Sequence, residues 1–223
     1  GFESKLTPYI EKDLTFHYLP NWADDLDANL APAKLGKTEG LTHFTFAGNI
    51  GKVQNLENII NAFCLLSGEY QKKSQLNIIG VGSNFDNLKL LADYNSNIVF
   101  HGKKPRADMA SYYKASDFLI ISLIDEPIFS VIVPAKTQTY IAAKKPILAI
   151  INGDASNIIK ENNLGLYADP SKIDMITNIL QQCIDMSQTE RECFTNENDR
   201  LLKTIFNKEK TIDKLLEVLI KKD

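Results

Sequence analysis

The sequence lacks a long hydrophobic run, an excess of either charge and all but three cysteines. No apolar stretch approaches the roughly 20 residues that span a bilayer, and no signal-peptide pattern opens the chain. The 25 basic residues against 28 acidic ones give a net charge of −3, without the basic excess of a general nucleic-acid binder. Cys64, Cys183 and Cys193 form no close pair, and this odd, sparse count fits a reducing, cytoplasmic compartment better than a disulfide framework. His17, His43 and His101 are scattered without zinc-ligand spacing, so no structural metal is expected. Ser130 has no GxSxG frame, which excludes a hydrolase elbow. An initial methionine is also lacking: the chain opens Gly1-Phe2-Glu3 inside what reads as structured sequence. We therefore expect a piece of a longer protein whose N-terminal part is missing.

What is present is an ordinary globular composition, 44% hydrophobic and 24% charged. The first 20 residues read as a short helix, Ser4 to Lys12 interrupted by Pro8, and a strand, Leu14 to Leu19. Residues 21–41 carry Pro32, Gly36 and Gly40 without sustained periodicity, the pattern of a linker. A regular alternation follows. Strands are expected at Thr42–Gly48, Gln75–Gly80, Asn97–His101, Phe118–Leu123, Pro146–Ile151 and Gly165–Ala168. Between them, Leu56, Ile59, Ile60 and Phe63 mark a helix, and Ser83-x-x-Asp86 reads as a capping box before Phe85, Leu88 and Leu91. Further helices are expected over Arg106–Lys114, from Pro134 onward and over Asp154–Glu161. The remainder reads as three helices, on Ile173 to Cys183, Phe194 to Ile205 and Thr211 to Lys222. This predicts an α/β fold: a doubly wound, parallel six-stranded, Rossmann-like sheet with C-terminal helices.

In open parallel sheets ligands bind outside the carboxyl ends of the strands, so the strand-to-helix loops are where to search. Gly48-Asn49-Ile50-Gly51-Lys52 could present backbone N–H groups and a lysine to an anion, or be a tight turn with a solvated lysine. Gly80-Val81-Gly82 is a weak start to a dinucleotide fingerprint, because Phe85 stands where the third glycine belongs. His101-Gly102-Lys103-Lys104 would let the chain turn close to a planar ligand. Asp125 to Val131 places carboxylates at the end of a buried strand, suited to gripping sugar hydroxyls, or forms a solvated loop. Lys136 and Thr139 can share a helix face near that loop.

At these loops the sequence resembles the C-terminal half of retaining glycosyltransferases of the GT-B fold, family 4. The resemblance runs through PNWAD, FAGNIG, NIIGVGSN, VFHGKKPRADMASYYKASDFLIISL, VPAKTQTYIAAKKPILAI and GLYADP, in that order, over about residues 15–206. It is most similar to the bacterial surface-polysaccharide branch, of the O-antigen, capsule and fucosamine-transferase kind. There a Pro-Ser-Lys and a Tyr-x-Ala-x-x-Lys-Pro frame the donor helix; here they are Pro134-Ala135-Lys136 and Tyr140 to Pro146. Two positions depart from the family: Asn49 where an arginine is common, and Thr139 at the second glutamate.

The resemblance implies a UDP-sugar-binding domain over residues 41–206, a C-terminal helix over 207–223, and a remnant of an N-terminal domain with its linker over 1–40. It implies Gly48, Asn49, Gly51 and Lys52 near the diphosphate, and His101, Gly102, Lys103 and Lys104 under the base. It also implies Glu126, Phe129, Ser130 and Val131 facing sugar and phosphates, with Lys136 and Thr139 at the ribose or diphosphate. Lys52 and Glu126 are the implied catalytic groups. The implied activity is sugar transfer from a UDP-sugar to a growing surface polysaccharide or lipid-linked acceptor, with retention and without a metal or other cofactor. The expected partners are the donor and the missing acceptor domain, with no nucleic acid. The full-length protein could touch the inner face of the cell membrane peripherally. Two rival readings share the nucleotide site: a GT-B-fold UDP-HexNAc epimerase and a non-catalytic α/β nucleotide-binding module.

Overall fold

The structure, a computed structural model, describes residues 3–9, 16–23, 26–27, 29–36 and 40–220, the side chains of residues 4 and 5 excepted. Six strands form one sheet: β1 (Thr42–Ala47), β2 (Ser74–Ile79), β3 (Ile98–Gly102), β4 (Phe118–Ser122), β5 (Ile147–Ile150) and β6 (Gly165–Tyr167). Their order is β3-β2-β1-β4-β5-β6, and every neighbouring pair is parallel. The chain builds outward from β1 in one direction, then returns to β4 and builds outward in the other. A crevice therefore opens between the carboxyl ends of β1 and β4.

Helices cover both faces, which is why β4 and β5 are apolar on both. The described helices are α1 (Glu3–Leu6), α2 (Leu56–Cys64), α3 (Gly68–Lys72), α4 (Phe85–Ala92), α5 (Met109–Ala115) and α6 (Lys136–Ala142). They continue with α7 (Asp154–Glu161), α8 (Ile173–Asp185), α9 (Gln188–Cys193), α10 (Asn198–Lys203) and α11 (Lys208–Ile220). Strand residues alternate between two cores. Phe44, Phe46, Ile78, Phe118, Ile120 and Ile150 pack against α2, α4 and α8. Ala47, Ile79, Leu119, Ile121 and Ala149 pack against α5, α6, α7 and α10. Each fully buried Phe or Ile removes enough apolar surface from water to contribute about 1.5–3 kcal/mol.

On the second face β1 and β2 carry a polar stripe in place of apolar side chains. Gln75 Nε2 donates to Asn77 Oδ1 at 2.7 Å and also to the carbonyl of Leu35. His101 Nε2 lies 2.9 Å from Asn77 Oδ1, and His43 Nδ1 lies 3.3 Å from Asn77 Nδ2. An amide oxygen only accepts and an amide nitrogen only donates, so this ladder fixes both tautomers. The proton of His101 sits on Nε2, and that of His43 also on Nε2, where it meets no partner among the described residues. Residues 29–36 close this face: Leu35 is fully buried and the Ala33 N–H donates to Ser111 O at 2.9 Å.

Several local expectations are corrected. Phe16 to Leu19 is not a strand, and residues 14 and 15 of that expected strand lie outside the described residues. The segment pairs with neither edge strand, β3 nor β6; it lines the larger cavity beside α7 instead. The first helix spans only Glu3–Leu6, followed by a 3-10 turn at Thr7–Tyr9 containing Pro8; residues 10–12 lie outside the described residues. Ser83 does not cap α4; Asn84 holds that position without a side-chain cap bond, its amide turned to Glu57 at 3.0 Å. Of the helix expected over Phe194 to Ile205 only Asn198–Lys203, α10, is helical; Phe194 to Glu197 are the turn that follows α9, a helix the periodicity did not mark. The capping box of this region is at Ser187 and Glu190.

Candidate functional site

The loops after β1 and β2 are locked together backbone to backbone. Gly48 N–H donates to Ile79 O at 2.9 Å, Ile50 N–H to Val81 O at 3.0 Å, and Asn84 N–H to Ile50 O at 2.9 Å. A β-carbon on Gly80 would lie 1.8 Å from Gly48 O, and one on Gly82 2.3 Å from Ile50 O. Only glycine permits this approach. The Gly80-Val81-Gly82 signal is therefore a packing requirement that holds the Gly48 loop against its neighbour.

Lys136, at the first turn of α6, reaches back to the end of β1. Its Nζ lies 3.8 Å from the centroid of the Phe46 ring. It also fills the space a side chain on Gly48 would need, 2.5 Å from the position of such a β-carbon. Burial alone pushes its pKa down to about 8, with no carboxylate among the described residues to oppose the shift. A largely buried ammonium with a ring face and no carboxylate against it among the described residues is incompletely neutralised, and an anion at the crevice would complete it.

The loop after β4 is anchored on both flanks. Ile124 N–H donates to Val53 O at 2.9 Å, tying it to the loop after β1. Asp125 accepts from Asn152 Nδ2 at 2.8 Å, tying it to the loop after β5. A 3-10 turn, Phe129–Val131, follows, with Ser130 Oγ donating to Pro127 O at 2.8 Å. α6 starts at Lys136, two residues after Pro134, whose carbonyl accepts the Thr137 N–H at 2.8 Å.

Two cavities flank this crevice. One, of about 380 Å³, is bounded by Gly48, Asn49, Gly80, Lys103, Lys104 and Arg106, with Met109 and Tyr113 as its apolar wall. The other, of about 760 Å³, lies between Phe16–Asn21 and the α6–α7 side, and Val131 and Gln138 reach it. Among the described residues no three His, Cys, Asp or Glu side chains come together as a metal site would need.

The family described as "Glycosyl transferases group 1" matches residues 27–200. The chain belongs to this family. The Pseudomonas aeruginosa protein named "Probable glycosyltransferase WbjE" is 28% identical over 188 residues, 82% of this chain and 42% of its own length. The chain thus spans less than half of that curated relative. Sucrose-phosphate synthase from Thermosynechococcus elongatus superposes with a TM-score of 0.77 over 99% of this chain and 57% of its own, at 15% identity. HepE from Anabaena, solved with UDP-glucose, gives 0.68 over 82% of this chain and 50% of its own, at 13% identity. This likeness establishes the fold: the Rossmann-like α/β sheet of GT-B proteins, with helices at the C-terminus.

Within this group 1 chain, the expected site residues fall into four sets. Gly48, Asn49, Lys103 and Lys104 meet at the smaller cavity, and Lys136 joins Gly48 from the crevice side. His101 faces the interior instead, bonded to Asn77 at 2.9 Å, and Gly102 ends β3. Lys52 and Glu126 are exposed, Gly51 N–H is taken by Gln54 Oε1 at 2.9 Å, and Thr139 Oγ1 donates back to Ala135 O at 3.2 Å. Phe129, Ser130 and Val131 form the short turn beyond Asp125. Sequence reasoning missed Arg106, Met109 and Tyr113 in the cavity wall, and Asn152 and Tyr167 behind the β4 loop. Helical spacing places α5 at the end of β3, and that was the available signal for the first three. No helix among the described residues is long and apolar enough to cross a membrane.

Proposed function

We propose that the chain is the donor-binding part of a retaining, family 4-type glycosyltransferase acting on a bacterial surface polysaccharide or its lipid-linked precursor. The observation that carries this reading is Lys136: a buried ammonium with no carboxylate partner among the described residues, at the carboxyl end of β1, in the switch-point crevice where this fold binds nucleotides. A nucleotide diphosphate is the anion that fits. Gly48, Asn49 and Gly51 would flank it, and Lys52, exposed on the same loop, would supply a second cation. During transfer negative charge grows on the leaving diphosphate, and Lys136 and Lys52 would stabilise it without reorganisation. The base would lie over Lys103 and Lys104, in the cavity with Tyr113, while His101, bonded inward to Asn77, and Gly102 would support that turn from the end of β3. Glu126, Phe129, Ser130 and Val131 would border the sugar, and Thr139 the ribose. The likeness to HepE, solved with UDP-glucose, supports UDP-sugar as the donor class.

The acceptor would be held by an N-terminal domain outside these 223 residues, a reading supported by the 42% share of WbjE that the chain covers. The chain alone would then bind donor without turning it over, by a mechanism that draws on no metal. Isothermal titration with UDP tests the reading. Saturable binding is expected, competed by UDP-sugars and weakened by Lys136→Met. Absence of heat at millimolar UDP would overturn it.

A further inference from the structure

Behind the β4 loop runs a chain of side-chain hydrogen bonds with a single polarity. Tyr167 O–H, at the end of β6, donates to Asn152 Oδ1 at 2.5 Å, and Asn152 Nδ2 donates to Asp125 Oδ1 at 2.8 Å. The order is forced from the carboxylate end. Asp125 can only accept, so the amide nitrogen must face it; the amide oxygen then faces the phenol, which must donate. Tyr167 is held in its protonated, donating form by burial first and by the nearby carboxylates of Asp169 and Asp125. The Lys160 ammonium covers its ring at 4.3 Å.

Next to Asn152 the backbone presses on the same loop. Gly153 has φ +86°, and a β-carbon there would lie 1.9 Å from Ser130 O. Asp125 and Ser130, the two ends of the segment carrying Glu126 and Phe129, are therefore both seated on the Asn152–Gly153 turn. The opposite flank is held at Ile124 by Val53.

We propose that Tyr167, Asn152 and Asp125 are positioning residues: a hydrogen-bonded brace that sets where the 123–131 loop stands, and with it the sugar-facing side of the donor site. None of the three needs to touch the donor. The role of the loop's ligand rests on the donor reading above, whereas the brace itself does not.

Three full-length variants test this: Tyr167→Phe, Asn152→Asp and the double variant Asn152→Asp/Asp125→Asn. The single Asn152 change sets two carboxylates face to face. The double change exchanges carboxylate and amide. The carboxylate now at position 152 then accepts from both the Tyr167 phenol and the amide now at position 125, and every bond is restored. Amide hydrogen exchange is followed over 123–131, and affinities are measured for UDP and for the tightest of UDP-glucose, UDP-galactose and their N-acetylamino forms.

Each single variant is expected to speed exchange in the loop. Asn152→Asp, which loses the bond to the Asp125 carboxylate, is expected to weaken the UDP-sugar about tenfold, and Tyr167→Phe, which loses a neutral phenol–amide bond, about threefold, with UDP changed less than about twofold. The exchanged pair is expected to recover both readouts. Unchanged loop exchange in the single variants, an equal loss of UDP and UDP-sugar, or a double variant no better than Asn152→Asp would overturn the brace. A wild-type chain that binds no UDP would overturn the donor reading instead, and loop exchange with its rescue would still decide the brace.

Discussion

The ammonium of Lys136 occupies the space over Gly48 that any other residue's β-carbon would claim, with Nζ 2.5 Å from that position. Two residues far apart in the chain thus define one side of the switch-point crevice.

This contact has opposite consequences for stability and binding. The pKa of Lys136, lowered from 10.5 to about 8, means that its charge, still predominant at pH 7, costs more in the folded, unliganded chain than in the unfolded one. The lysine remains partly accessible, so the penalty is discounted to about 1 kcal/mol. Lys136→Met should raise the free energy of unfolding from urea titration by that amount while weakening UDP about thirtyfold or more. A variant that loses both stability and binding would point to a packing role.

The same group should make nucleotide binding proton-linked. At pH 8 about half of the unliganded chains carry a neutral Lys136, and a bound diphosphate favours the charged form. UDP binding near pH 8 should therefore take up protons, and affinity should fall from pH 7 to pH 9. Calorimetry in buffers of different ionisation enthalpy checks this; Lys136→Met should abolish the buffer dependence.

Burial holds the imidazoles of both His43 and His101 below their ordinary value of 6.5, against the opposing pull of Asp117 on His43 and with the help of Lys104 on His101. As pH drops below 6.5 the unfolded chain takes up protons that the folded chain resists. The stability contribution is present above that pH and is lost as pH falls through the lowered values. Tm should fall between pH 7 and pH 5, and the slope should be shallower in His43→Gln. A slope unchanged by the substitution would remove His43 from this linkage.

Gly80→Ala should cost about 2–3 kcal/mol or more, because the clash is with the Gly48 carbonyl and no side chain can move aside. Gly68→Ala, at the open start of α3, meets nothing within 4 Å and should be close to neutral. Comparing their denaturant midpoints separates close approach from a general loss of glycine.

Arg191 ties the C-terminal helices to the sheet, with Nη1 2.9 Å from Asp117 Oδ1 and Nη2 2.9 Å from Thr42 Oγ1. Asp117 in turn accepts the His43 N–H at 2.7 Å. Both side chains are largely withdrawn from water, at 13% and 26% exposure, so removing one strands the other. Arg191→Ala should cost about 2–3 kcal/mol in equilibrium unfolding, well above the effect of breaking the exposed Lys73–Glu69 pair.

The alternation of buried strands and amphipathic helices from Thr42 onward is a local property, repeated every few residues, and it determines the doubly wound sheet and which loops face the crevice. The motif order from FAGNIG to GLYADP is equally local, and it points to the family that matches residues 27–200. Local patterns failed where a partner was needed. Phe16 to Leu19 reads as a strand but pairs with neither edge of the sheet, and Ser83 resembles a cap while Asn84 holds that position. The internal role of His101, the brace from Tyr167 to Asp125 and the seat of Lys136 on Phe46 depend on side chains brought together from distant strands and loops. Their hydrogen bonds require positions set to tenths of an ångström by the sheet register and by glycine contacts between loops. Periodicity carries no information at that scale, so only the tertiary structure could decide them.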